Sequence, residues 1–313
     1  MASTRSIYKS LPSHLTAALK DFQSSNSTFR LLQTVYPNNL TPQPATPPPT
    51  TNQPQTLIIL DSSFNPPSIA HQTLALTALH KSSKSISQTP GSHRLLLLFS
   101  TMNADKAPSA ASFDQRLALM TIFAVDLLRN LQNRPDASSY TIPPIDIGVT
   151  TAPYYTDKSA AISTSPEGKH WYPSSTLHIH LLGFDTLTRF FAAKYYQSFS
   201  PPLSALEPYF AAGHGLRATL RPDDAYGSEA EQRAFVQRLA DGEMEGEGGK
   251  REWAKRVELV EATPQAGVSS TVIRKAAKAG EWDVVGELCT ESVAEWVREE
   301  RLYEDDSRGA KMG

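Results

Sequence analysis

Two short apolar runs, each followed by a long helical pattern, constrain this chain more than any other feature. Leu57-Ile58-Ile59-Leu60 ends in a turn-rich cluster and leads into a helical pattern over about Ile69–Ser83. Leu95-Leu96-Leu97-Leu98-Phe99 leads into a second, over about Phe113–Leu131. Strands whose apolar residues do not alternate with polar ones are buried on both faces. The order strand, helix, strand, helix then makes neighbouring strands parallel. The expected fold is α/β, a doubly wound parallel sheet with helices on both faces. Tyr140–Val149, Leu177–Leu182, Gly215–Leu220 and Arg256–Glu261 read as further strands. Thr271–Ala279 and Ser292–Leu302 read as later helices, and Asp241–Lys250, rich in glycine and charge, reads as a mobile loop. There is no internal repeat.

The same patterns divide the chain into three stretches. Residues 1–55 read as an N-terminal helix and a proline-rich linker. Leu11, Leu15, Leu19 and Phe22 fall at helical spacing, and Asn38 to Gln55 is dense in Pro, Thr, Asn and Gln. Residues 56–304 read as the nucleotide-handling domain and 305–313 as a polar tail. Removing residues 1 to 54 is expected to leave activity, with lower stability if the Leu11–Phe22 helix docks on the core.

Composition bounds the function. Thirty Lys and Arg stand against thirty-two Asp and Glu, a formal net charge of −2, so no general attraction to nucleic acid or an anionic membrane is expected. One cysteine, Cys289, excludes an internal disulfide framework and a cysteine-based zinc site. No apolar run approaches the ~20 residues that span a bilayer. A reducing location, cytoplasm or nucleus, is the expectation.

The first candidate site follows the first strand, at Asp61-Ser62-Ser63-Phe64-Asn65-Pro66-Pro67. Ligands of open α/β sheets bind at the carboxyl ends of strands. A helix starting near Ser68 aims its free N–H groups and positive dipole end back at this turn. Ser62, Ser63 and Asn65 add small polar side chains. His71, three residues after Ser68, shares its face and can donate to a phosphate oxygen. The turn has neither a Walker lysine pattern nor GxGxxG.

The second is Val268-Ser269-Ser270-Thr271-Val272-Ile273-Arg274. Three hydroxyl residues open a helix, and Arg274 lies one turn along the same side. N-capping by Ser270 or Thr271 is the alternative. A capping box would place Glu or Gln three residues on, where Ile273 and Arg274 stand instead. An arginine in a first turn opposes the helix dipole unless an anion lies between them, which favours a phosphate site.

In order, these two stretches resemble the nucleotidyltransferase signatures G-[ST]-F-[DN]-P followed by [HT]-x-x-H, and I-S-S-T-x-[IV]-R. They are similar in particular to the nicotinamide mononucleotide adenylyltransferases, in their divergent fungal branch. The resemblance covers roughly Thr56 to Tyr303 and departs from the pattern at Ser62, where the family has Gly, and at Ser68, where it has His or Thr. It implies a Rossmann-like fold that binds ATP through Ser62, Ser63, Phe64, Asn65, Ser68, His71, Lys106, Gly183, Asp185, Ser269, Ser270, Thr271 and Arg274. Gly183 and Asp185 come from Leu182-Gly183-Phe184-Asp185-Thr186-Leu187, similar to the family's G-x-D-x-[LF]. Helix capping by Asp185 is the alternative or parallel role. Lys106, Arg116 and Met120 resemble the family's K…R…M pattern, with Arg116 bracing the fold. The family's Trp-Glu pair at the acceptor ring is missing. Tyr154 or Tyr155 is the expected substitute, with Trp171 as competitor. His178 and His180 share a strand face and read as packing residues.

The implied reaction is adenylyl transfer from ATP to nicotinamide mononucleotide, giving NAD and pyrophosphate by in-line attack, with no covalent enzyme intermediate. His71 and Arg274 are the expected catalytic residues. Mg²⁺ is expected on the ATP phosphates, with no metal-ligating residues from the protein. The rivals are a same-fold transferase with another acceptor or CTP, and a catalytically weakened nucleotide-binding regulator.

Overall fold

The computed structural model describes residues 11–47, 53–80, 92–101, 111–221 and 226–304. Lys106 and the stretch 305–313 lie outside the described residues. Eight strands form one sheet in the order β2-β1-β5-β4-β3-β6-β7-β8. They are β1 (Phe29–Tyr36), β2 (Asn39–Pro44), β3 (Thr56–Asp61), β4 (His93–Ser100), β5 (Ile145–Thr150), β6 (Leu177–Gly183), β7 (Gly215–Thr219) and β8 (Val257–Val260). The six strands from β5 to β8 in that order are mutually parallel, and β1 and β2 extend the β5 edge in antiparallel pairs. Successive strands run outward from β3 to β5, then restart at β6 on the other side of β3. This is the Rossmann-like doubly wound α/β order, with its reversal between β3 and β6.

The unalternated strands behave as their composition demands. Ile58, Leu60, Leu95, Leu97 and Phe99 enter one core, and Leu57, Ile59, Leu96 and Leu98 enter another across the sheet. The first core is closed by α1 (Leu11–Ser24), α2 (Ile69–Ala78), α3 (Phe113–Gln132), α9 (Ser270–Ala279), α10 (Trp282–Leu288) and α11 (Glu291–Glu299). The opposite face carries α4 (Tyr155–Thr164), α5 (Pro166–Trp171), α6 (Phe184–Phe190) and α7 (Glu207–Ala211), and α8 (Glu229–Asp241) follows β7. Helix α3 is buried almost all round, and its start is fixed by Ser112 and Gln115 in a reciprocal capping box.

Three expectations need correction. The sheet crosses the boundary expected at residues 55 and 56, because β1 and β2 come from the segment read as helix and linker. β1 lies between β2 and β5, and Leu11, Leu15, Leu19 and Phe22 are buried in the main core. The proline-rich composition hid β2, but an edge strand needs only half of its backbone donors, so it tolerates Pro42 and Pro44. The strand expected from Tyr140 starts only at Ile145, after Pro143 and Pro144. Finally, Asp241–Lys250 is held in place rather than loose. Gly242, at φ 91°, caps α8, Gly248 takes φ 93°, and Glu245 pairs with Arg251 at 2.8 Å.

At the end of the sheet away from the strand C-termini, Asp146 is fully buried and holds the N-terminal extension to the parallel strands. It accepts two bonds from Arg94, at 2.6 and 2.5 Å, and one each from Thr34 and Tyr172 at 2.7 Å. A buried carboxylate matched by a guanidinium and two hydroxyls is satisfied. With one partner missing it would be strongly destabilising.

Candidate active site

The turn after β3 is strained where the phosphate site was expected. Phe64 adopts φ 44°, a left-handed conformation that a bulky residue takes only when its surroundings enforce it. Its ring is buried, 5.5 Å from the imidazole of His71 and 6.4 Å from Phe123. With Phe64 anchored in the core, the chain turns Ser62 and Ser63 toward the strand ends, where both line a pocket.

His71 sits in the first turn of α2, and its two nitrogens are differentiated. The backbone N–H of Ser68 donates to Nδ1 at 3.0 Å, and the Ser68 hydroxyl lies 2.8 Å from the same atom. An Nδ1 that accepts a backbone N–H carries no proton in the neutral ring, so the proton resides on Nε2. Nε2 faces the Ser62 hydroxyl at 2.8 Å. The reciprocal bond between Ser68 and His71 closes a capping box in which an imidazole takes the usual place of Glu.

The second stretch docks directly on this turn. The Ser270 hydroxyl donates to the carbonyl of Pro66 at 2.8 Å, across 204 residues, and Arg274 donates to the carbonyl of Asn65 at 2.8 Å and to Thr271 Oγ1 at 3.2 Å. Tyr303 donates to Asn65 Oδ1 at 2.9 Å. Ser269 caps α9 by accepting from the Thr271 N–H at 3.1 Å, and Ser269 and Thr271 are exposed. The two stretches therefore meet, and the hydroxyls divide their work. Ser270 braces the turn, while Ser269 and Thr271 face solvent. Among the first-turn residues, Phe64, Asn65 and Ser68 are buried, and Ser62, Ser63 and His71 are reachable.

Gly183 and Asp185 lie at the C-terminal end of β6, beside the reversal point. Asp185 pairs with Arg221 at 2.8 Å, and a Cβ on Gly183 would come within 2.7 Å of Asp185 Oδ1. The absence of a side chain at 183 is what permits this close packing. Asp185 makes no side-chain cap of its own helix. Arg116 is buried, its guanidinium 5.4 Å from the ring of Phe99 and 5.3 Å from that of Phe113, which fits the bracing role read for it. Burial holds its pKa below the usual arginine value, with Arg274 adding to the lowering.

The pocket, about 280 Å³, opens at the ends of β3 and β4 and is walled by α4 and α6. Ser62, Ser63, Asp61, Ser100, Thr186 and Arg189 line it together with a group of tyrosines. Tyr154 is exposed into it, its ring 6.4 Å from that of Tyr196. Tyr155 packs edge-on against His180 at 5.1 Å and Phe190 at 6.2 Å, and burial holds its phenol well above the usual value. Trp171 is buried in the core with Phe29 and Tyr172 and is not among the residues that line this pocket, whereas Tyr154 and Tyr155 are.

Sequence reasoning missed Asp61 and Lys158, which form an ion pair on the pocket wall with both side chains largely buried. Behind it, the Ser159 hydroxyl bridges His178 Nδ1 at 3.1 Å and His180 Nε2 at 3.0 Å, and His178 stacks on His214 at 4.2 Å. Burial keeps the pKa values of His178 and His180 well below the ordinary range, and lowers that of His214 to about 4. Both strand histidines are packing residues, as read, and they anchor α4 through Ser159. Only the i, i+2 spacing of His178 and His180 hinted at this cluster.

No family model matches the chain. It is 26% identical over 227 residues to a protein of Schizosaccharomyces pombe named "Putative nicotinamide mononucleotide adenylyltransferase", covering 72% of this chain and 77% of that one. Two solved structures of Plasmodium falciparum nicotinic acid mononucleotide adenylyltransferase are also similar. One is complexed with NaAD (TM-score 0.45, 13% identity) and one with APC (TM-score 0.41, 12% identity), and each match covers 80% of this chain and 98% of the other. The resemblance to nicotinamide mononucleotide adenylyltransferases thus extends from the motifs to a fungal relative matched over most of both chains.

Proposed function

We propose, with that family resemblance as premise, that the chain transfers the adenylyl group of ATP to nicotinamide mononucleotide, giving NAD and pyrophosphate. The observation that carries the reading is the apposition of the α9 start with the turn after β3, beside a tyrosine-lined pocket at the reversal point of the sheet.

In this reading the triphosphate lies between the Ser62–His71 turn and Ser269–Arg274, and the mononucleotide occupies the pocket, its ring against Tyr154. A 5′-phosphate oxygen of the mononucleotide attacks the α-phosphorus. The bond from that phosphorus to the α–β bridging oxygen breaks, and the electron pair leaves with pyrophosphate. The attacking oxygen is already an anion, so no side-chain nucleophile is needed, and the protein's work is positioning and charge stabilisation. The Nε2 proton of His71 would donate to a phosphate oxygen in place of Ser62. Arg274, Ser269 and Thr271 would hold the departing pyrophosphate, and Ser270 would keep the two halves together. Asp185 would orient the nucleoside, and Lys106 would approach a phosphate. Mg²⁺ would enter on the triphosphate.

The test is NAD formation by the purified chain from Mg·ATP and nicotinamide mononucleotide, with pyrophosphate release measured alongside. ATP binding without dinucleotide formation from any pyridine mononucleotide would overturn the enzymatic reading in favour of a nucleotide-binding regulator.

A further inference from the structure

The pocket wall carries a charge arrangement for which adenylyl transfer alone has no use. Asp61 ends β3 and Lys158 lies one turn into α4, so the two come from different rigid elements. Their side chains are 7% and 6% exposed, and both line the pocket. The ammonium pairs with Asp61 Oδ2 and sits 5.1 Å from the ring centre of Tyr155. The Asp61 carboxylate therefore keeps acceptor capacity on Oδ1 toward whatever enters. Arg189, the other cation among the described residues that line the pocket, is exposed.

Building on the reaction proposed above, we infer that the Asp61–Lys158 pair selects the acceptor, favouring a mononucleotide whose pyridinium ring bears a neutral carboxamide over one bearing a carboxylate. The pair is closed and neutral as a unit. A carboxylate approaching Lys158 would set a second anion beside the largely buried Asp61 carboxylate, so the two would share one cation and repel each other. A carboxamide adds no charge, and its NH₂ can donate to Asp61. The ring cation is attracted to the same carboxylate. Discrimination then arises from a repulsive element placed against the wrong substrate as well as an attractive one for the right substrate. The tyrosines around the pair supply ring faces but no charge, so they do not distinguish amide from acid.

The test measures kcat/KM of the full chain with Mg·ATP for nicotinamide mononucleotide and for nicotinate mononucleotide. The wild type should prefer the amide. Asp61→Asn leaves Lys158 open to a carboxylate and should move the amide-to-acid ratio toward the acid by about tenfold or more. Lys158→Met leaves Asp61 alone and should move the ratio the opposite way. Opposite shifts from the two halves of one pair cannot come from general damage to the fold. Arg189→Ala should change the ratio less than either. If Asp61→Asn fails to fold, the direction given by Lys158→Met decides. A wild type that prefers the acid overturns the inference without any variant. An unchanged ratio in variants that still form dinucleotide does the same, as does a ratio that follows Arg189. If neither acceptor yields a dinucleotide, the reaction itself falls, and this inference with it.

Discussion

Arg274 reaches back across 209 residues to donate to the carbonyl of Asn65 at 2.8 Å. The contact holds an exposed helix start against the strained turn that leads into the helix carrying His71. Two distant stretches of chain thereby act as one surface.

Because both side chains are proposed to serve one triphosphate, His71→Ala and Arg274→Ala should each lower kcat by on the order of a hundredfold, near ~3 kcal/mol of transition-state stabilisation. The double variant should cost less than the sum of the two. Arg274→Ala should also lower the melting temperature slightly, since it loses the bond to Asn65. Kinetics and melting curves on the same preparations check this. An intact kcat in either single variant would return that residue to a structural role.

The Ser62 hydroxyl lies 2.8 Å from His71 Nε2, a contact that a glycine would not make. Ser62→Gly should therefore lower KM for ATP or raise kcat by a few-fold. It should also cost about 0.5–1 kcal/mol of stability from added backbone freedom. Steady-state kinetics with ATP varied would show it. A loss of activity would mean that the hydroxyl itself contacts the nucleotide.

The two neighbouring tyrosines should separate cleanly. Tyr154→Ala, at an exposed ring, should weaken the mononucleotide by about 1–3 kcal/mol with little change in KM for ATP or in melting temperature. Tyr155→Ala, at a ring packed on His180 and Phe190, should depress the melting temperature first. Equal effects of Tyr154→Ala on both substrates would contradict the assignment.

Acid should destabilise the fold through His178, His180 and His214. Their folded-state pKa values lie below the unfolded value near 6.5, that of His214 at about 4, so the unfolded chain binds more protons in between. This contribution is complete above pH ~7 and is lost as pH falls from about 6.5 toward 4, at up to about 1.4 kcal/mol per pH unit for each histidine. The groups around them, Lys158, Arg256, Tyr155 and Tyr209, supply no carboxylate to offset a new positive charge. Urea unfolding at pH 7.5 and 5.5 measures the slope, and a flat profile would mean that the cluster is hydrated.

Removing residues 1 to 54 should abolish folding rather than spare it. The truncation deletes α1, β1 and β2, exposes the edge of β5, and leaves Asp146 and Arg94 without Thr34. Circular dichroism and gel filtration of the truncated chain distinguish the outcomes. A monomeric, cooperatively unfolding product would refute this.

The sequence revealed most where local chemistry decides structure. Unalternated Leu and Ile runs of four or five residues bounded by turn signals form doubly covered strands here, and the small polar residues after the first of them form the turn at the strand end. It revealed little where the deciding partner lies elsewhere. Nothing local to Asp61 or Lys158 says that they pair, and nothing local to Ser62 says that its hydroxyl meets His71. Trp171 had the right chemistry for the acceptor ring but faces the core. Glycines at 242 and 248 read as looseness, yet their left-handed backbone is what lets that segment close on itself. Asn39–Pro44 misled through composition, because a proline-bearing stretch can be a strand if only its edge position is known.

The order of parts along the chain also sets an order in time. When synthesis has passed Val260 all eight strands exist, but Ser270, Arg274 and Tyr303 have yet to emerge. The turn after β3 waits through most of translation for the contacts that brace it. A chain that stops before Ser269 would lack Ser270 and Arg274 against that turn, and with them α9, α10 and α11, which close the main core over one face of the sheet. Such a product would carry the strained turn without its braces and leave the main core partly uncovered on that face, so the residues from Ser269 onward complete the core around which the earlier ones fold.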